Sequence, residues 1–286
     1  MNVKRIIPKV YGLRVLASNI NTQTPYLTVI RFQHNKGDVN EHRAKIMARG
    51  LPEKKSLPVN LACAMKVIEP DKEIGLLDAD VFGPSVPLMM NISGEPMLND
   101  DNLIEPLLNY GNAVVWRGLM VMQALDRLTR HVAWGPLDCL IVDTPPGTGD
   151  THLSLAQNLP IDGALVVTTP QSAALQVTKR GVNMFEKLKV PIIGLVENMS
   201  HAICHKCGTK NYVFGNETKK TAEDMGLEII ESFEVDSNMS ECINSGKPAI
   251  YALPDSTHAE KYRQLANKVF KYISNKDKRE AEATEQ

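Results

Sequence analysis

Two cysteines separated by two residues form the most specific candidate site in the sequence. Cys204 and Cys207 are followed by Gly208, which allows the tight turn that brings two thiolates to one metal atom. Zinc or an iron–sulfur cluster normally takes four ligands. The other cysteines do not form a second pair, and we expect them to be buried or helical thiols: Cys63, Cys139 and Cys242. One pair per chain therefore favours a site that two chains share through four sulfur atoms.

Two alternatives use the same cysteine pair differently. His205 or His201 competes as a third ligand from the same chain, since imidazole is a common metal ligand. A thioredoxin-like redox pair is disfavoured, because that motif opens a helix. Here Gly208 and polar residues follow the second cysteine.

Two carboxylates follow a short apolar segment in the first half of the chain. Asp78 and Asp80 are two residues apart, so they point the same way if the segment before them is a strand. Such a pair can hold a hydrated Mg²⁺ or orient a water molecule. An acidic turn with only a structural role is the alternative.

A third motif joins an apolar segment to a loop rich in glycine and proline. Residues 140–143 end in Asp143, which is typical of a Walker B strand whose carboxylate holds the Mg²⁺ of a bound nucleotide. The loop that follows, Pro-Pro-Gly-Thr-Gly, has backbone amides that could follow a γ-phosphate. An apolar segment ending in Asp is common, so the specificity lies in the whole string of residues 140–150.

These motifs lie in a regular alternation of predicted strands and helices. Apolar segments that end in polar residues predict strands at 74–77, 137–142, 164–167 and 191–196. Helices are predicted at about 117–131, 149–158, 172–188, 216–226 and 257–273. This order predicts a doubly wound α/β fold with a mainly parallel sheet, which collects functional groups at the carboxyl ends of its strands.

The overall composition excludes several classes of protein. The formal net charge is −1, with 32 Lys and Arg residues against 33 Asp and Glu, which argues against a nucleic-acid-binding protein. The sequence has no apolar segment of the length that crosses a bilayer, so we expect no integral membrane segment. Five cysteines in 286 residues are too few for a secreted disulfide scaffold.

The charge is unevenly distributed along the chain. Residues 1–37 contain six basic residues and no Asp or Glu, which is typical of a mitochondrial transit peptide, although a basic tail is the alternative. We expect one α/β domain over 38–274 and a polar tail over 275–286.

The motifs together resemble one family closely. It is the Mrp/ApbC branch of the MinD-like (SIMIBI-type) P-loop ATPases, which act as iron–sulfur cluster scaffolds or carriers. The resemblance extends over about 41–272, and its strongest segments are 45–52, 75–90, 106–111, 114–122, 140–150, 192–200 with the cysteine pair, and 245–250. The basic leader agrees with the mitochondrial members, which serve respiratory complex I assembly.

The resemblance implies a role for each candidate residue. Asp80 would be the switch I carboxylate and Asp143 the Walker B carboxylate, with Asp78 beside them. Gly147 would lie in the switch II loop, and Asn198 would hydrogen-bond the adenine of ATP. The cysteine pair, Cys204 and Cys207, would ligate a [4Fe-4S] cluster that bridges a homodimer.

The defining feature of a P-loop ATPase is missing from this sequence. Such enzymes need a strand, a glycine-rich loop and the sequence Gly-Lys-Ser/Thr at the start of a helix. The only Gly-Lys pair is Gly246-Lys247, which Pro248 follows. The family places the first strand and its loop between Pro58 and Val59, which are adjacent here. A second gap, at 111–114, should also contain a strand.

Two explanations fit these gaps. The clean flanks favour coding segments that were skipped in a gene model or spliced isoform, and a divergent pseudo-ATPase is the other explanation. In either case we expect this chain to bind ATP and Mg²⁺ poorly, which leaves its enzymatic activity open.

The sequence therefore predicts a carrier of the mitochondrial matrix. It would deliver [4Fe-4S] clusters to apo iron–sulfur proteins of complex I, with ATP binding by family descent. The alternative is a dimeric pseudo-ATPase that binds zinc or a cluster independently of nucleotide. A plain MinD-type partitioning ATPase is a third hypothesis, against which the cysteine pair counts.

Overall fold

The computed structural model describes five segments in full and three further strands. The segments are 56–80, 85–92, 97–105, 125–145 and 149–284, and the strands lie at 13–16, 26–30 and 46–48. The predicted switch II residue Gly147 lies outside the described residues.

Strands and helices alternate through most of the described chain. The strands are β1 (Leu13–Leu16), β2 (Tyr26–Ile30), β3 (Ile46–Ala48), β4 (Ile74–Asp78), β5 (Cys139–Asp143), β6 (Gly163–Thr168), β7 (Ile192–Glu197), β8 (Ala202–Ile203), β9 (Lys210–Asn211) and β10 (Ile229–Ser232). The helices are α1 (Ser56–Ile68), α2 (Val86–Met90), α3 (125–130), α4 (Asp150–Asn158), α5 (Ser172–Lys187), α6 (Thr218–Asp224), α7 (Ser237–Asn244), α8 (Ala249–Ala252) and α9 (Thr257–Thr284). The four predicted strands are confirmed as β4 to β7.

Eight of the described strands form one sheet, in the order β1-β4-β5-β2-β6-β7-β10, with β3 paired to β5. The β1–β4, β4–β5, β6–β7 and β7–β10 pairs are parallel. The strand β2 is antiparallel to both β5 and β6. Strand β3 runs parallel to β5 and is the last strand before α1. The mainly parallel, doubly wound sheet is therefore confirmed.

Two strands of this sheet come from the predicted leader. Both β1 and β2 lie within residues 1–37, and β2 connects the two parallel halves of the sheet. The interpretation of 1–37 as a transit peptide stays a prediction.

The central strands are buried on both faces, which explains why they read as continuous apolar segments. Alternate residues of β5 and β6 face two separate cores. Ile141 and Leu165 belong to the core beneath α1 and α9, whereas Leu140 and Val166 belong to the core that includes Phe185 of α5.

Helix α1 contains the junction between Pro58 and Val59, where the family's first strand and glycine-rich loop would lie. The helix begins at Ser56, so the Pro58–Val59 junction lies inside its first turn. Proline is tolerated there, because first-turn amides have no helical partner. The residues from Ser56 to Met65 are all buried. The helix thus begins three residues before Val59 and continues to Ile68.

Helix α9 continues through the predicted polar tail. Its buried face carries Tyr262, Leu265 and Val269 at helical spacing, as predicted. The helix extends to Thr284 rather than ending near 273, and from Asn275 onward its described side chains are largely exposed. No helix in the described part of the chain is both long and apolar enough to cross a membrane.

Candidate functional site

The acidic strand ends lie side by side at one edge of the sheet. Parallel pairing of β4 and β5 places Asp78 opposite Asp143, and the Ala79 amide donates to the Asp143 carbonyl oxygen at 2.7 Å. Asp78 and Asp143 are fully buried, and Asp80 is 1% exposed. The structure thus brings the three predicted carboxylates to one place.

The Asp78 carboxylate has a structural role at the end of β4. Its Oδ2 accepts hydrogen bonds from the amides of Ser85 (2.9 Å) and Val86 (3.2 Å), and its Oδ1 accepts one from the Asp80 amide (3.1 Å). Since Val86 begins α2, the carboxylate also lies at a helix N-terminus, where negative charge is favourable. These bonds fit the alternative of a structural acidic turn at Asp78.

The described residues do not supply what a bound nucleotide needs. The chain has no Gly-Lys-Ser/Thr sequence, and Gly50 is the only glycine between β3 and α1. Within the described residues, no three His, Cys, Asp or Glu side chains lie close enough together to hold a metal ion. The phosphates of ATP therefore lack their usual lysine and glycine-rich loop in this chain, and the roles of Asp80 and Asp143 stay predictions.

Asn198 lies at the end of β7, on the same edge of the sheet. Its backbone amide donates to the carbonyl oxygen of Thr168 at 2.8 Å, which fixes it beside the end of β6. Its side-chain Oδ1 accepts from the Met199 amide at 3.0 Å, and Met199 has a φ of +58°. One acceptor position of the predicted adenine-binding amide is therefore already engaged.

The cysteine pair lies on an exposed hairpin, residues 201–215, that follows β7. Strands β8 and β9 pair antiparallel, and Cys204 and Cys207 are both exposed in the turn between them. The turn closes by hydrogen bonds from the Gly208 amide to the Cys204 carbonyl (2.8 Å) and from the Cys204 amide to the Thr209 carbonyl (3.0 Å). Gly208 has a φ of +69°, which favours glycine.

Thr209 contacts the second cysteine directly. Its Oγ1 lies 3.2 Å from the Cys207 Sγ. Hydrogen bonds from the Thr209 hydroxyl and amide, and from Cys204, lower the pKa of Cys207 below its ordinary value, which favours the thiolate that binds metals. Thr209 was not among the residues predicted from the sequence. The signal that could have identified it is a hydroxyl side chain two residues after a candidate metal ligand.

The base of the hairpin is hydrogen-bonded to the segment that follows β10. The Ser200 amide and the Val235 amide make backbone hydrogen bonds to Phe233 and His201, both at 2.8 Å. Phe233 is 1% exposed and packs against Tyr262 of α9, with ring centroids 4.5 Å apart. The exposed pair of thiols is thus connected to a buried part of the fold.

The remaining cysteines are separated from this pair by burial. Cys63 lies in α1, Cys139 in β5 and Cys242 in α7, and all three are buried, as predicted. Burial raises the pKa of Cys63 to about 12. Since no three potential ligands converge in the described chain, neither His201 nor His205 completes a three-ligand site with the pair.

Comparison with known proteins agrees with the resemblance noted from the motifs. A family model described as "ParA: NUBPL iron-transfer P-loop NTPase" matches residues 48–270. The mouse iron–sulfur cluster transfer protein NUBPL is 40% identical over 270 residues, which cover 82% of this chain and 85% of the mouse protein. An Arabidopsis thaliana protein described as an iron–sulfur protein required for NADH dehydrogenase, mitochondrial, is 44% identical over 232 residues (76% of this chain, 74% of that one).

A solved structure shows the same fold. It is a nucleotide-binding protein from Archaeoglobus fulgidus in complex with ADP, with 29% identity and a TM-score of 0.58, covering 72% of this chain and 86% of that one. The alignment with the mouse protein spans 270 positions, which is more than 82% of the 286 residues of this chain. Some residues of the mouse protein therefore have no counterpart in this chain, in agreement with the gaps inferred from the sequence. The chain belongs to the ParA family of P-loop NTPases, in its NUBPL iron-transfer group.

Proposed function

We propose that this protein carries iron–sulfur clusters. Two copies would hold one [4Fe-4S] cluster between Cys204 and Cys207 of each and deliver it to apo iron–sulfur proteins of respiratory complex I in the mitochondrial matrix. The names of the mouse and Arabidopsis relatives, which refer to cluster transfer and to NADH dehydrogenase, support this assignment.

The exposure of the cysteine pair is the observation that carries the proposal. Cluster transfer is an exchange of ligands, in which each step breaks one iron–sulfur bond to the carrier and forms one to a recipient thiolate, with no electron transferred. The recipient must therefore reach the cluster. Thiols in an exposed turn allow this approach, whereas the three other cysteines are buried.

Nucleotide takes no part in cargo binding in this proposal. The chain lacks the lysine and the glycine-rich loop that hold phosphates, and Asp78 is engaged by backbone amides. We infer that ATP binding, which the family has by descent, is impaired in this chain.

A dimeric pseudo-ATPase that binds zinc is the second candidate. Four thiolates from two hairpins also suit a tetrahedral zinc site. The exposed pair is compatible with both cargoes, so the identity of the metal decides between them.

Anaerobic reconstitution with iron and sulfide tests the proposal. We expect a broad visible absorbance and about four iron atoms per two chains. Cys204→Ser should abolish both, because two ligands of the shared site are lost. Cys242→Ser, which changes a buried thiol outside the hairpin, is the matched control and should leave both unchanged. Stoichiometric zinc with no iron uptake would support the second candidate instead.

A further inference from the structure

The two thiols of the cysteine hairpin have different surroundings. The Thr209 hydroxyl oxygen lies 3.2 Å from the Cys207 Sγ, and the Thr209 amide also hydrogen-bonds this sulfur. Among the described residues, no hydroxyl group hydrogen-bonds the Cys204 Sγ. Both thiols are exposed, so access by a recipient does not distinguish them. The difference between the two candidate ligands therefore lies in the hydrogen bonds of Thr209.

The turn fixes Thr209 in this position. The Thr209 carbonyl accepts the Cys204 amide at 3.0 Å, and the Cys204 carbonyl accepts the Gly208 amide at 2.8 Å. These two bonds hold the backbone of Cys204 at the base of the turn, whereas Cys207 lies within the turn. Thr209 directly precedes β9, which pairs with β8. The hydroxyl is thus positioned by backbone hydrogen bonds that involve neither thiol.

The same hydroxyl can serve a metal-bound thiolate as well as a free thiol. In the free hairpin the Cys207 S–H donates to the Thr209 oxygen. A thiolate bound to iron has no proton to donate, but a hydroxyl is both donor and acceptor, so it can turn and donate to the sulfur. A hydrogen bond to a charged acceptor is stronger than a neutral one. It stabilises the thiolate as a leaving group, as in thiol–disulfide exchange.

We propose that Thr209 is a positioning residue for cluster transfer, and that its hydroxyl makes Cys207 the first of the two ligands to leave the cargo. This inference rests on the proposed function. In the first exchange a recipient thiol loses its proton and binds iron, the bond from iron to the Cys207 Sγ breaks, and the released thiolate takes up a proton. No electron is transferred. Cys204 keeps the cargo attached until a later exchange, which protects it from loss to solvent.

Pulsed alkylation during transfer tests this order. A brief pulse of excess iodoacetamide, given at successive times after loaded protein meets an apo ferredoxin under anaerobic conditions, labels the thiols that have left the cluster. Mass spectrometry gives the ratio of label at Cys207 to label at Cys204, and the same ratio in empty protein corrects for intrinsic reactivity. We expect a corrected ratio of about ten or more early in wild-type transfer, since a hydrogen bond to a charged group has an effect of this size. The ratio should fall toward one at completion.

Variants of Thr209 test the role of the hydroxyl. Thr209→Val removes it and keeps the shape of the side chain, so the corrected early ratio should fall. The reduction potential of the bound cluster should also become more negative, because a hydrogen bond to a ligand sulfur is lost. Thr209→Ser should restore both values. Thr257→Val, which changes an exposed threonine at the start of α9, is the matched control and should match wild type.

Three results would overturn the inference. A corrected early ratio of one or less in wild type, a measurement that needs no variant, would show that Cys207 does not leave first. A ratio unchanged by Thr209→Val would show that the hydroxyl does not set the order. A ratio that Thr209→Ser fails to restore would assign the effect to side-chain shape. Failure of wild type to take up any cluster is distinguishable from these, because it contradicts the proposed function itself.

Discussion

The acidic strand ends and the cysteine hairpin lie at or after the ends of strands of the same sheet, but their functional groups differ in solvent exposure. Asp78 and Asp143 are fully buried, and the amides of a neighbouring turn occupy Asp78. Cys204 and Cys207 are exposed in a short turn. The comparison shows that the Asp78 carboxylate is engaged by hydrogen bonds within the fold, whereas the two thiols are accessible to a ligand.

Alkylation rates provide the largest expected contrast. Cys204 and Cys207 should react with iodoacetamide much faster than Cys63, because only thiolates react and burial raises the pKa of Cys63 to about 12. At pH 8 the thiolate fraction of Cys63 is then on the order of one part in ten thousand. Mass spectrometry of native protein over time measures each site.

The pH dependence of the same reaction sharpens this contrast. Since hydrogen bonds from Thr209 lower the pKa of Cys207, its alkylation should begin at a lower pH than that of an ordinary cysteine. Thr209→Val removes the hydroxyl donor, so the onset should move to higher pH, while Thr221→Val, a hydroxyl removed outside the hairpin, should not move it. Equal rates at all five cysteines would show that the described burial is wrong.

Asp78→Asn tests the structural role of the acidic region, with a smaller effect. The substitution weakens a charged acceptor of three backbone hydrogen bonds, so we expect it to lower the free energy of unfolding by about 2–3 kcal/mol. Urea unfolding at pH 7 measures the change. Asp71→Asn, at an exposed position, is the control and should have almost no effect. A fully stable Asp78→Asn protein would mean that this carboxylate is available for another role.

Much of this organisation could be predicted from the sequence. Strands buried on both faces produce continuous apolar segments, so β4 to β7 and the polar residues at their ends were identifiable. The spacing of the two cysteines and Gly208 likewise predicted the tight turn that holds the pair. Each of these features depends on residues that are close in sequence.

The features that could not be predicted depend on distant contacts. The pairing of β2 with β5 and β6 joins residues more than a hundred positions apart, and a short apolar segment in a basic leader gives no sign of it. The support of the hairpin by Phe233 and Tyr262 is equally non-local. One local feature could not be predicted either, because the hydrogen bonds that Asp78 accepts from the amides of Ser85 and Val86 depend on backbone conformation, which the residue types alone do not fix.

The central claim is that this chain binds its cargo through the hairpin without help from nucleotide. Iron and sulfide content and sedimentation, measured on the same anaerobic sample with and without Mg²⁺ and ATP, test it most directly. We predict about four iron atoms per two chains and a dimer in both samples. Cluster uptake only with ATP, or iron bound by a monomer, would contradict the account.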